Sequence, residues 1–359
     1  MKAHSWKAGH EPSMITLRNK TVLLHPAQQV QLSGETLHRS EPAMIQRELR
    51  SLDVPAGARV LEVGTGSGYS GALLAELVGP DGIVVSVDVD EHLVGWANLL
   101  HHQRGLTTVR CHHADGMAGY PDEAPFDRIV AWCTPPRLPR SWIDQLTPGG
   151  RLVVCLPVAA LPSTTVIATI TVDHGQPRVQ AFTFGGYAQS TTSAVADVHS
   201  VPPRWVDWCS PHPLLSWIAI AWRADDDWLR TGARTALNLL LNPGHTEVYE
   251  HAPIDWRSWN AYTAAQANPQ LSTVSLHGDV HGIGHTTPVS AAVVQTDGVI
   301  LADSPRSPSL HALHGWLRQW EHASRPTADA FTPILTAADE DPSGWDLRIL
   351  HRPARPRPL

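Results

Sequence analysis

No run of 18 or more apolar residues occurs in these 359 residues, so no segment is long enough to cross a bilayer as a helix. The N-terminus, MKAHSWKAGHEPSM, lacks the apolar stretch that a secretory signal requires. Positive charge is in short supply: the formal net charge is −7, which leaves no basic footprint for nucleic acid. Cysteine is sparse as well. Cys111, Cys133, Cys155 and Cys209 form no C-x-x-C pair, and the first three lie in or beside apolar runs. They read as buried thiols in a reducing compartment rather than as disulfides or a zinc site. These absences lead to the expectation of a cytoplasmic protein with no membrane and no nucleic-acid partner.

Histidine, by contrast, is abundant, and His277, His281 and His285 recur every four residues in HGDVHGIGH. Gly278, Gly282 and Gly284 break any helix that would align them on one face. The stretch therefore reads as a polar loop, and no metal site is expected there. An apolar content of 42% with 17% charged residues fits a globular chain, and its length favours two domains.

Between about residues 40 and 157, apolar strands alternate with helical patterns. Ser40-Glu41-Pro42 resembles a helix start, with Ser40 as N-cap and Met44, Ile45 and Leu49 as the apolar stripe. Strands are expected over 59–63, 83–88, 108–111, 128–133 and 151–156. The helix after the first strand should stop at Gly79-Pro80-Asp81-Gly82, and Asp90 should cap the next. A further helix should end near Leu146, before a turn over 147–150. Near-continuous apolar strands separated by helices imply a parallel sheet covered on both faces, hence a doubly wound α/β domain. A hairpin should follow over 164–172 and 178–184, then a Ser/Thr/Pro-rich linker over 186–204. Ten of the 14 tryptophans fall beyond it. That region should contain a hairpin at Asp297-Gly298 and a helix whose Leu310, Leu313, Leu317 and Trp320 share one face. The tail from Arg352 should be disordered.

The chemistry concentrates at Val60-Leu61-Glu62-Val63-Gly64-Thr65-Gly66-Ser67-Gly68-Tyr69, a strand that breaks into a glycine turn before a helix. Glycine lets backbone approach a ligand closely. In open α/β sheets ligands bind beyond the carboxyl ends of the strands at the switch point. Asp88, at the end of the second strand, suits two ribose hydroxyls, and Asp115-Gly116 after the third strand suits an adenine amino group. The loop is neither G-x-G-x-x-G nor a Walker loop, and Glu62 would repel a phosphate. An acid there suits a cationic ligand, such as the sulfonium and amino group of S-adenosylmethionine. Alternative readings are a plain strand-to-helix turn for the glycines and a solvated cap for Asp88.

With these residues in place, VLEVGTGSGYSGALLAELVG, VVSVDVD, DGMAGYPDEAPFDRIV and LPRSWIDQLTPGGRLVV resemble the protein-L-isoaspartate O-methyltransferase family over residues 40–157. Transfer-RNA adenine methyltransferases share the GPDG turn and the second strand but diverge after Asp115. The resemblance implies a class I Rossmann-like methyltransferase fold, here with an added C-terminal α+β region. It implies an S-adenosyl-L-methionine site at Glu62, Gly64, Thr65, Gly66, Gly68, Asp88, Asp115 and Gly116, with S-adenosylhomocysteine as product. It also implies a catalytic role for Ser40, which matches the serine of the family's Thr-Ile-Ser-Gln-Pro-like motif. His38, Arg39 and Glu41 depart from that motif, and Trp132 stands where small residues are usual. His38, Arg39 and Trp132 are therefore expected to bind substrate; a surface arginine and a core tryptophan are the plain alternatives. Extended relatives in actinobacteria resemble this chain in layout and methylate aspartate in ribosomal peptides such as lanthipeptides, lasso peptides and graspetides. The resulting expectation is a lid segment over 1–39, a methyltransferase domain over 40–185 and a peptide-recognition domain over 205–352. The reaction expected is carboxyl O-methylation of an Asp side chain, giving an ester that cyclises to succinimide or isoaspartate. Repair of isoaspartyl proteins, and a cofactor-binding docking module without turnover, are the alternatives.

Overall fold

The computed structural model describes residues 42–195, 203–211, 213–223, 232–251, 253–278, 280–339 and 343–352. Ahead of these it describes the backbone of two antiparallel strand pairs, Ser13–Leu17 with Lys20–Leu24 and Gln31–Leu32 with Glu35–Thr36. Ser40, His38 and Arg39 lie outside the described residues, as does the tail over 353–359. Helix α1 (Pro42–Leu52) places proline in its first turn, where the missing N–H costs no hydrogen bond, and buries Ile45, Leu49 and Leu52.

Seven strands build the first sheet. They are β1 (Arg59–Val63), β2 (Ile83–Asp88), β3 (Val109–His113), β4 (Phe126–Ala131), β5 (Leu146–Pro157), β6 (Thr165–Asp173) and β7 (Gln176–Phe184), in spatial order β7-β6-β5-β4-β1-β2-β3. Strands β1 to β5 pair in parallel, and β5-β6-β7 form an antiparallel meander. Order reverses between β1 and β4, which makes that the switch point. Helix α2 (Tyr69–Val78) is almost wholly buried, as its Ala/Leu-rich sequence requires. Helix α3 (Glu91–Gln103) starts at Asp90, whose carboxylate accepts from His92 N at 2.9 Å and Leu93 N at 3.2 Å.

Several boundaries differ from expectation: the strand expected over 108–111 is Val109–His113, and that expected over 128–133 is Phe126–Ala131. The helix expected to end near Leu146 is the five-residue α4 (Arg140–Asp144). The turn over 147–150 is absorbed into β5, which pairs Leu146 with Phe126, breaks register, and resumes at Arg151 opposite Arg128. Gly149, at φ +76°, accommodates the break.

A second seven-stranded sheet is wholly antiparallel. Its members are β8 (Trp208–Ser210), β9 (Ser216–Ile220), β10 (His245–Val248), β11 (Leu271–Leu276), β12 (Val280–Thr287), β13 (Ser290–Gln295) and β14 (Val299–Ala302), ordered β8-β9-β11-β12-β13-β14-β10. Helix α5 (Ala233–Leu241) covers one face through Ala236, Leu237 and Leu240. Helices α6 (Trp256–Ala265) and α7 (Pro308–His322) join the other core, where Trp259 and Trp320 meet edge to face at 5.5 Å. Leu310, Leu313, Leu317 and Trp320 are all buried in α7, on the stripe their spacing predicts.

The histidine stretch is not a loop. His281 and His285 lie in β12, and His277 in the turn before it. Glycines that would break a helix serve a strand here: a Cβ on Gly284 would lie 2.1 Å from Ala292 O, so only glycine lets β13 pack this closely. Among the cysteines, Cys111 and Cys155 are buried, whereas Cys209 is exposed on β8.

The chain then returns to its first half. β15 (Phe331–Ala338) pairs with β16 (Gly344–His351), and β16 pairs with Leu138–Pro139, next to α4. One apolar cluster runs from Leu61, Val85 and Trp142 through to Trp259, Trp320 and Trp345.

Candidate active site

Backbone sterics bring the site together at the carboxyl end of β1. Gly64 N donates to Val87 O at 2.8 Å, and Trp132 N donates to Val63 O at 2.9 Å, so β1 is clamped to both its neighbours. Gly64, Gly66 and Gly68 all have positive φ, at +94°, +50° and +75°, which side-chain-bearing residues rarely adopt. A Cβ on Gly66 would meet nothing within 4 Å. Open space therefore lies over the loop there, and backbone rather than side chain borders it.

Asp88 stands at the edge of that space. Its Oδ2 accepts from Gly66 N at 3.0 Å and its Oδ1 from Asp90 N at 3.1 Å. Burial pushes its carboxyl above the usual carboxylate range, against the pull of these amides. The carboxylate offers about four acceptor sites in all, which leaves capacity for a ligand hydroxyl beside these two amides and that of Val89.

Asp115 is exposed, and its Oδ1 accepts from Met117 N at 2.9 Å, capping a short 3-10 turn over Gly116–Ala118. Gly116 is set by packing: a Cβ there would lie 2.4 Å from Val63 Cγ1. Its carbonyl accepts from Trp142 Nε1 at 2.7 Å. The loop after β3 is thus pressed against the residue that precedes Gly64.

Glu62 lies beneath the loop with no exposed surface. Trp132 Nε1 donates to its Oε1 at 2.9 Å, and Ser86 Oγ donates to its Oε2 at 2.7 Å. Thr65 Oγ1 and Ser86 Oγ are 2.7 Å apart. Burial, only partly offset by these donors, raises the Glu62 carboxyl. The carboxylate thus ties Trp132 to the base of the glycine turn.

Glu62, Gly64, Thr65, Gly66, Gly68, Asp88, Gly116 and Trp132 accordingly converge at one end of the sheet, with Asp115 on the adjoining loop. Two members of the site are absent from the sequence-based set. Ser86 is a lone polar residue inside the apolar strand VVSVD, and that was its only signal. His101 of α3 is 2% exposed. Its Nε2 would lie 3.2 Å from a Cβ on Gly68 and 3.4 Å from one on Gly71. No local pattern marks it.

Residues 21–176 match the family described as Protein-L-isoaspartate(D-aspartate) O-methyltransferase (PCMT). The chain is 41% identical over 138 residues to the protein-L-isoaspartate O-methyltransferase of Anaeromyxobacter dehalogenans strain 2CP-1, covering 38% of this chain and 63% of that protein. It is 42% identical over 122 residues to that of Methanopyrus kandleri, covering 34% and 53% respectively. The chain thus spans between about half and two thirds of the length of these curated relatives. A solved protein-L-isoaspartate O-methyltransferase overlays 89% of this chain and 84% of its own, at 15% identity and a TM-score of 0.44. A putative one from Plasmodium falciparum, in complex with S-adenosyl-L-homocysteine, overlays 42% and 74% at 22% identity and a TM-score of 0.35. The fold is a Rossmann-like class I methyltransferase sheet with an added C-terminal α+β region. No helix among the described residues is long and apolar enough to cross a membrane.

Proposed function

We propose that this chain is an S-adenosylmethionine-dependent carboxyl O-methyltransferase acting on an aspartyl side chain of a ribosomally made peptide. The observation that carries the reading is the switch-point arrangement. An open glycine loop with positive φ lies beside a half-buried Asp88 that has spare acceptor capacity. These residues fit a nucleoside: Asp88 takes the ribose hydroxyls, Gly64–Gly68 supplies close backbone, and Asp115 and Gly116 border the base. Glu62 holds the floor through Ser86 and Trp132. The bound cofactor supplies an electrophilic methyl group on a sulfonium.

The acceptor needs no general base, because a carboxylate with a pKa near ~4 is already ionised at neutral pH. The protein's contribution is to hold it in line with the methyl group and to exclude water. We assign the acceptor side to Trp132, anchored by its indole N–H, and give Ser40 a catalytic role and His38 and Arg39 a substrate-binding role on the resemblance of their motif alone. The ester formed is open to attack by a neighbouring backbone nitrogen, which closes a succinimide that opens to aspartate or isoaspartate.

A modified-peptide substrate is supported by the region after residue 176, which lies outside the family match, builds a second sheet and carries ten of the 14 tryptophans. We assign peptide recognition to residues 205–352 and a covering role to 1–39. Repair of isoaspartyl residues is the second reading, favoured by the names of the relatives. Incubation with methyl-labelled cofactor separates them, using an isoaspartyl peptide and an aspartyl precursor peptide encoded beside this gene. Methyl ester on the precursor alone is the expected result. Equal turnover on isoaspartyl peptides of any sequence would sink the peptide-maturation reading.

A further inference from the structure

A cavity of about 610 Å³ lies between the two large sheets. Its walls come from the loop joining β5 to β6, the segment after β7, β9 and α6. That volume is typical of a ligand pocket, and nothing in the cofactor site uses it. Trp205, Trp217 and Trp256 line it.

Charge distinguishes this cavity from the rest of the molecule. Arg204 and Arg257 line it, and no Asp or Glu is among its described lining residues, although the chain carries 34 acidic against 27 basic side chains. Arg204 is partly buried and donates only to neutral oxygens. Its Nη1 reaches Thr134 O at 3.3 Å, and its Nη2 reaches Ser190 O at 3.1 Å and Ser190 Oγ at 3.2 Å. Its guanidinium lies 5.6 Å from the centre of the Trp205 ring. A partly desolvated cation without a counter-ion among the described residues favours an incoming carboxylate. Trp205 itself has φ +69°, rare for a bulky side chain, and such strain concentrates where ligands are held.

The cavity also adjoins the candidate active site. Thr134, two residues beyond Trp132, lines it, and Thr134 Oγ1 donates to Tyr187 O at 2.9 Å. Tyr187 lines it too, with its ring 6.1 Å from that of Trp132. Tyr187 thus stands between Trp132 of the candidate active site and the cavity.

The structure assigns this cavity as an anchor for an acidic stretch of the peptide substrate. Arg204 and Arg257 take a carboxylate other than the one methylated, and the three tryptophans take an apolar side chain beside it. This assignment rests on the peptide-substrate reading above. The test is fluorescence anisotropy with the full chain saturated with S-adenosylhomocysteine. The probes are a fluorescein-labelled dodecapeptide with an Asp-Leu-Glu-Phe-Asp core and its Asn/Gln counterpart. The acidic peptide should bind at least about tenfold tighter, a difference set by the charge pairs. Arg257→Gln, an exposed position, and Trp256→Ala should each weaken it by roughly three- to tenfold without changing cofactor affinity. In turnover, both should raise KM and leave kcat in place. Equal binding of the two peptides, absence of binding, or indifference to Arg257→Gln overturns the anchor. Because binding is read without methyl transfer, charge-selective binding with no turnover on any peptide would defeat the methyltransferase reading instead.

Discussion

His101 is the residue whose burial has the plainest consequence for stability. Neither ring nitrogen has a hydrogen-bond partner among the described residues. Burial first, and the Arg104 charge second, push its pKa down from 6.5 to about 4. The neutral form is thus favoured in the folded state, so the contribution to stability is fully present above pH 6.5. It is lost as pH falls towards 4, because the unfolded chain takes up the proton first. The loss amounts to on the order of 3 kcal/mol across that window. Urea unfolding at pH 7, 6, 5 and 4 should show it, and His101→Leu should flatten the slope while changing stability little at pH 7. An unchanged slope in the variant would assign the acid sensitivity to other groups. His101 was not legible beforehand, because its role arises from α3 packing beneath a loop 33 positions earlier. Ser86 was half-legible: a hydroxyl in an apolar strand signals a partner, but only pairing β2 with β1 reveals that the partner is Glu62.

At the level of elements, strand β1 and the loops around it hold the candidate site. The ranges 59–63 and 83–88 matched expectation because apolar β-branched runs bounded by glycine turns leave few alternatives. The start of β5 did not, since Pro148-Gly149-Gly150 reads locally as a turn and only β4 keeps Leu146 in the sheet. The histidine stretch was misjudged for the same reason: glycine spacing excludes a helix but does not reveal a neighbouring strand that requires glycine. The packing of the β3 loop on β1 leads to a further prediction. Gly116→Ala would put a Cβ 2.4 Å from Val63 Cγ1, and the displacement should cost ~1–3 kcal/mol. Because Val63 leads directly into Gly64, the same substitution should weaken S-adenosylhomocysteine binding by calorimetry. Lost stability with unchanged affinity would separate the β3 loop from the cofactor site.

The molecule as a whole is joined in a way that its sequence divisions hide. Strand β16 pairs with Leu138–Pro139, Asn260 Nδ2 donates to Ser163 O at 2.6 Å, and Arg223 Nη1 donates to Ala160 O at 2.8 Å. With one apolar cluster shared between the two large sheets, scanning calorimetry of the full chain should give a single cooperative transition. A chain ending at residue 185 should expose Leu138 and Trp142 and aggregate. Two resolved transitions, or a soluble folded 1–185, would contradict a shared core. Local periodicity and glycine chemistry suffice to specify the doubly wound sheet, its switch point and the acids that gather there. Tertiary structure alone decided that Glu62 holds Trp132 and that the last strand closes on the first half. It also decided that arginines and tryptophans distant in sequence share one cavity, since long-range packing leaves no trace in local spacing.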